Sequence, residues 1–293
     1  MNQKINTNNF WARHKNSLIF RLIKRPTGAL GLFIVAMILI IVIFAPQIAT
    51  MDYAEQHIRD RLQGPNATYI LGTDTVGRDL FSRLIYGTRI AIFTAIPSVL
   101  GSVTIGIILG LIAGYFGGWI DNILLIIFDT IQAFPSVILA LALLAVLGSS
   151  MTNVILVIII TYMPGYARVT RASVLTEKEA PYVESEKAQG VSTMRLLFVH
   201  ILPNIIAPIF VMVAMDTAYA ITMEAGLSFL GLGVQPPTPS WGIILSDGFQ
   251  KIRNSAWPVV WASVFIMIST LGFTMLGESL RDILDPKLSG SRG

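Results

Sequence analysis

The chain has 293 residues, 54% of them hydrophobic and only 13% charged. Soluble domains carry about 25% charged residues, so this composition belongs to the membrane class. The net charge of +4 comes from basic residues gathered at the ends of apolar runs, which excludes a nucleic-acid footprint, and the absence of cysteine excludes disulfides and thiolate metal sites.

Residues 1–27 carry Lys4, Arg13, Lys15, Arg21, Lys24 and Arg25 without an acid. Residues 28–46 then form a first apolar run, close to the length a bilayer requires. Residues 47–88 are polar and read as an extracytoplasmic loop. Near its end, a turn at Gly72 and Gly77 leads into an amphipathic stretch with Leu80, Leu84 and Ile85 on one face, a pattern suited to a helix lying in the membrane interface.

Residues 89–279 are expected to supply five more spans. The second ends at a turn on Gly117 and Gly118, and Gly106, Gly110 and Gly114 recur every fourth residue within it, a spacing that lets a neighbouring helix approach closely. A third, unbroken span is expected over 121–147 despite Pro135, and a fourth over 152–167, ending at Arg168 and Arg171. A polar stretch follows. Pro181 suits the first position of a short helix, Gly190 suits its stop, Ser192 suits the cap of a second helix, and Pro203 is expected to interrupt that one. The fifth span is expected over 205–226, an external loop rich in proline and glycine over 227–257, the sixth span over 258–277, and a tail over 280–293.

Counting lysine and arginine tests the orientation. Fourteen fall at the N-terminus, in the 168–200 stretch and in the tail, against six in the two other loops, with Arg89 at a boundary. The positive-inside rule then puts both termini and the Glu184 stretch in the cytoplasm.

Three motifs carry a resemblance. Glu184, Gly190 six residues on, and Leu202-Pro203 resemble the EAA loop of ABC importer permeases, with departures at Ser185, Glu186 and His200. LGTDTVGRDLFSRLIYGTR, residues 71–89, and LSFLGLGVQPPTPSWG, from Leu227, resemble signatures of the dipeptide, oligopeptide and nickel branch of that family. The resemblance implies an all-α membrane protein with six transmembrane helices, the type I ABC importer permease fold, and a cytoplasmic coupling helix at about residues 181–190. It also implies ATPase-coupling roles for Tyr182, Glu184, Ala188, Gly190 and Pro203. The implied partners are a homologous second permease, two cytoplasmic ATP-binding subunits, an extracytoplasmic solute-binding protein and the lipid bilayer.

The chain holds no Gly-x-x-x-x-Gly-Lys-Ser/Thr loop, so it binds no cofactor of its own on this reading, and ATP with magnesium is left to the partner ATPases. His14, His57 and His200 fall outside the apolar runs and form no zinc motif, which disfavours an intramembrane protease. An ATP-independent channel or secondary transporter needs no Glu184 helix. Asp129, Asp216 and Glu224 lie inside the spans, where ionisable groups are costly and face a partner or a cavity. They are the candidates for the translocation path, with Glu224 expected near its external mouth. Dipeptides or oligopeptides are the first expected solute, and nickel or a metal–metallophore complex the second.

Overall fold

The computed structural model describes residues 18–284; Lys4, Arg13, Lys15, Lys287 and Arg292, counted above for orientation, lie outside them. The described residues form helices, with no strand beyond one isolated bridge between Thr73 and Asp79. Among the described residues, five helices have the length and apolarity to cross a membrane, and a bent helix pair brings the number to six when it is counted as one span.

A short helix, α1 (Leu18–Ile23), precedes α2 (Pro26–Ile48), which Pro26 starts at the position where its missing N–H leaves nothing unsatisfied. The next, α3 (Leu80–Phe116), begins at Asp79, whose carboxylate accepts the Ser82 N–H at 2.8 Å. It ends at Gly117, where φ is +64°. At 1.5 Å per residue, its 37 residues span about 55 Å, well beyond a ~30 Å hydrocarbon core.

Leu80, Leu84 and Ile85 are buried in the first turns of α3, which run on into the membrane segment, so the stretch expected in the interface is core instead. The preceding loop explains this. Asp74 accepts the backbone N–H groups of Val76 and Arg78 and pairs with Arg78 at 2.6 Å and Arg83 at 3.3 Å, all three side chains being buried. Gly77, at φ +81°, fits beneath His57, where a Cβ would stand 1.8 Å from the carbonyl oxygen. The loop is thereby clamped onto α3 and takes its apolar face out of the interface. Tyr69, hydrogen-bonded to Asp60, is pushed above the usual phenol range by burial first and then by that carboxylate.

The expected third span is broken. Helix α4 (Gly118–Gln132) and α5 (Ser136–Leu147) meet at 90° around Pro135, which lacks an N–H and disfavours helix in the residue before it. Helix α6 (Met151–Glu177) continues ten residues past the expected end, because acids on α4 satisfy its arginines. Arg171 forks onto Asp121, with Nη2 to Oδ2 at 2.6 Å, and Arg168 pairs with Asp129.

The stretch expected as a short helix is α7 (Pro181–Ala188). Next comes α8 (Thr193–Phe229), which Pro203 does not interrupt. Leu196–Ile201 widens into a π-helical turn just ahead of Pro203, so the missing N–H falls where the winding already changes. The expected loop after it contains a helix, α9 (Trp241–Gln250), capped by Ser240 and anchored by Trp241, whose indole N–H donates to the Leu84 carbonyl at 3.0 Å. The last, α10 (Trp257–Leu284), reaches beyond the expected sixth span.

Side chains of α2, α3, α6, α8 and α10 share the main apolar core. Its tightest seam is α3 against α6. A Cβ on Gly106 would stand 2.5 Å from the Tyr166 Cβ, one on Gly110 2.5 Å from the Ala167 carbonyl oxygen, and one on Gly114 2.8 Å from the Val174 Cβ. Gly110→Val is therefore expected to destabilise the detergent-solubilised chain by about 1–3 kcal/mol, the usual cost of overpacking. Gly165→Ala, whose Cβ meets only the Met212 terminal methyl at 4.0 Å, should be nearly neutral; thermal unfolding of both variants checks the contrast.

Candidate functional site

Helix α7 is a short polar element fastened on one side. Val183 is fully buried against Leu111 of α3, Val174 of α6 and Leu196, Leu197 and Ile201 of the π-helical turn, forming a core separate from the main one. Tyr182 adds a polar tie, donating to Glu177 Oε1 at 2.8 Å and accepting from Asn204 Nδ2 at 3.1 Å. Burial raises the phenol above its ordinary range, the Asn204 contact acts against that, and Glu177 adds to it. Lys178 donates to the Gly114 carbonyl at 3.1 Å, and the Lys187 ammonium lies 5.5 Å from the Tyr115 ring centroid.

The other side of α7 is open. Glu184, Ser185 and Ala188 are exposed there. Gly190 turns the chain at φ +77°, with nothing within 4 Å of the position a Cβ would take. Pro203 is exposed at the start of the regular part of α8. Tyr182 is thus a tether, while Glu184 and Ala188 stand on the free face.

Two departures from the EAA pattern face each other. Glu186 Oε1 lies 3.5 Å from His200 Nδ1, an ion pair when the imidazole is protonated. Glu186 is therefore aimed at the π-helical turn and leaves the outer face of α7 unobstructed. Ser192 stands at the start of α8, yet its hydroxyl makes no capping hydrogen bond there. Sequence reasoning missed Val183 as the anchor, although an apolar residue one turn from the start of so polar a helix is the signal for one.

The three acids have separate surroundings. Asp129 is on the outer side of α4, 67% exposed, paired with Arg168. Asp216 of α8 is partly buried beside Tyr162 and Tyr166 of α6, and the buried Tyr166 hydroxyl points toward it without a well-formed hydrogen bond. Glu224 is not open at an external mouth. It is 1% exposed, with Oε1 accepting from Ser228 at 2.6 Å and Ser240 at 2.9 Å, while Oε2 has no partner. Ser240 belongs to the stretch that leads into α9, so Glu224 joins α8 to that connection. Nearby, burial raises Asp247 of α9 above the usual carboxylate range, with Arg78 the strongest opposing influence.

Residues 106–290 match the model of the binding-protein-dependent transport system inner membrane component, and residues 17–65 match the N-terminal transmembrane domain of oligopeptide transport permease C. The chain belongs to the binding-protein-dependent transport system inner membrane component family. It is an ABC transporter permease, and that replaces the channel and secondary-transporter alternatives.

Among its relatives, the dipeptide transport system permease protein DppC of Escherichia coli strain K12 is 44% identical over 273 residues, covering 90% of this chain and 91% of the relative. DppC of Alkalihalophilus pseudofirmus is 43% identical over 265 residues, with coverages of 90% and 87%. The glutathione transport system permease protein GsiD of Pectobacterium atrosepticum is 40% identical over 261 residues, with coverages of 89% and 86%. The fold is similar to that of a chain from the MetNI methionine ABC transporter in an inward-facing conformation. The TM-score is 0.53 at 16% identity, covering 69% of this permease and 96% of that chain. The all-helical, type I ABC importer fold expected from the motifs is therefore the fold observed.

Tyr182→Phe removes the hydroxyl's hydrogen bonds to Glu177 and Asn204, a loss of about 1 kcal/mol for each by the usual scale. Amide hydrogen exchange across Pro181–Ala188 is expected to accelerate in this variant while exchange in α3 and α6 stays unchanged.

Proposed function

We propose that this chain is one of two homologous permease subunits of an ATP-driven importer that carries dipeptides and oligopeptides across the cytoplasmic membrane. The observation that carries the reading is α7, a helix pinned by Val183 and Tyr182 along one side and presenting Glu184, Ser185 and Ala188 along the other. Such a helix suits a groove on a soluble ATPase. ATP-driven closure of two ATPase subunits pushes α7, and the π-helical turn and α8 pass that push into the membrane. The chain then alternates between outward and inward openings, with an extracytoplasmic binding protein delivering the solute.

The substrate class rests on the relatives, which are named for dipeptide and glutathione transport at 40–44% identity over about nine tenths of this chain. Nickel or a metal–metallophore complex has no comparable support among them. The orientation rests on the distribution of lysine and arginine, which puts both termini and α7 in the cytoplasm.

Gly190→Val forces a β-branched residue into a left-handed conformation that only glycine adopts readily. It is expected to leave membrane insertion intact while abolishing the stimulation of ATP hydrolysis by loaded binding protein in the reconstituted complex. Normal stimulation in a fully assembled variant would contradict the coupling role.

Because the natural chain has no cysteine, single introduced thiols report its orientation. In right-side-out membrane vesicles, Asn66→Cys should react with an impermeant maleimide directly, and Ser185→Cys only after permeabilisation. The reverse pattern would invert the topology.

A further inference from the structure

The two anchors of α7 both lie at its start. Tyr182 and Val183 are its second and third residues, so by themselves they fix one end of a helix about 12 Å long. The second half, Ser185–Ala188, has two ties of its own, and they lead to different helices. Lys187 lies over the Tyr115 ring, close to the end of α3. Glu186 reaches His200 in the π-helical turn of α8, Oε1 to Nδ1 at 3.5 Å. Among the described residues, no other ion pair or hydrogen bond joins Ser185–Ala188 to α8.

His200 is gripped at its backbone and at its ring. Asn204 Nδ2 donates to its carbonyl at 3.0 Å, and the Tyr182 hydroxyl lies 3.5 Å from the same oxygen. Tyr182 and Glu186 are four residues apart, so they share one face of α7 and both address His200. Only the Nδ1 edge of the ring meets a polar group, because Nε2 is buried without a partner among the described residues. A polar atom so placed costs stability, and an apolar side chain of the same size would avoid that cost. The Glu186 carboxylate is what the imidazole has in return. The reverse holds for Glu186, since a half-buried carboxylate is a poor neighbour for an apolar turn unless a cation faces it. The two side chains are 24% and 27% exposed, so water screens them less than a pair on the open surface.

We propose that Glu186 and His200 are a matched pair of positioning residues for coupling. The ion pair between them sets the angle of α7 against the π-helical turn, so that a push on α7 reaches α8 instead of tilting the helix about Tyr182 and Val183. Two points at one end of a short helix act as a hinge, and a third point one turn further on stops it. The departures from the EAA pattern at these two positions are then a single change, because each residue needs the other. The proposal rests on the coupling reading of α7 above and deepens it by naming the contact through which the π-helical turn receives the motion.

The test uses the complete transporter in proteoliposomes and reads the ratio of ATP hydrolysis with loaded binding protein to hydrolysis without it. Glu186→Ala and His200→Leu should each lower that ratio about threefold, the scale of one partly buried ion pair. The ATPase subunits should be recovered with the permease as in the wild type. The double variant should fall no further than either single one, because the second change removes a partner that no longer has one. Exchanging the two side chains, Glu186→His with His200→Glu, should restore most of the ratio. Single variants with wild-type stimulation overturn the pair, as does a double variant that loses the product of the two single losses, about ninefold. An exchanged pair that restores nothing overturns it too, and so does a loss of stimulation matched by a loss of ATPase subunits from the complex. A wild-type complex in which loaded binding protein stimulates no hydrolysis overturns the coupling reading itself.

Discussion

The approach of α3 to α6 is the constraint on which the rest of the molecule depends. Three glycines at intervals of four remove every side chain that would hold the two backbones apart, and a methyl group at any of them would collide with its neighbour. In a bilayer, water drives no apolar association between helices, so close packing has to supply the attraction. The seam also fixes where α6 ends. From there Lys178 reaches the Gly114 carbonyl, and Val174 of α6 with Leu111 of α3 forms the floor on which Val183 sits. The position of α7 is thus inherited from glycines up to some eighty residues earlier in the chain.

Charge within the apolar region is handled by pairing. Arg171 and Arg168 of α6 each meet an acid of α4, and those pairs let α6 run on as helix where a charge count alone would end it. At the other end, Asp74 binds two arginines and two backbone N–H groups, so its carboxylate is satisfied on every side. Losing one partner of such a buried group costs several kcal/mol, because the remaining charge stays desolvated. Asp216 and Glu224 differ from these. Glu224 is closed in by two serine hydroxyls, while Asp216 has tyrosines around it and no cation.

Helix α7 joins firm anchoring to local looseness. Eight residues are too few to be stable in water without tertiary support, and here that support is one buried valine and one tyrosine. An element held at so few points opens more readily than the core and can move as a unit, which is what a docking helix requires. The pairing of Glu186 with His200 shows how a chain departs from a family pattern at two positions and still leaves the outer face of the helix clear.

Much was determined by the sequence alone. The membrane class, the short helix between Pro181 and Gly190, the glycine seam and the family motifs are all legible there, because each depends on local backbone preference or on the repeat of one helix. The ten extra residues of α6, the buried start of α3 and the helix at Trp241 were decided only by tertiary structure. Each of these turns on a partner distant in sequence: Asp121 and Asp129 for α6, the Asp74 loop and Trp241 for α3, and the Leu84 carbonyl for Trp241. The surroundings of the acids belong to the same class. A carboxylate in an apolar run announces that it needs a partner, and whether that partner is an arginine, a pair of serines or a pair of tyrosines depends on which helices pack together.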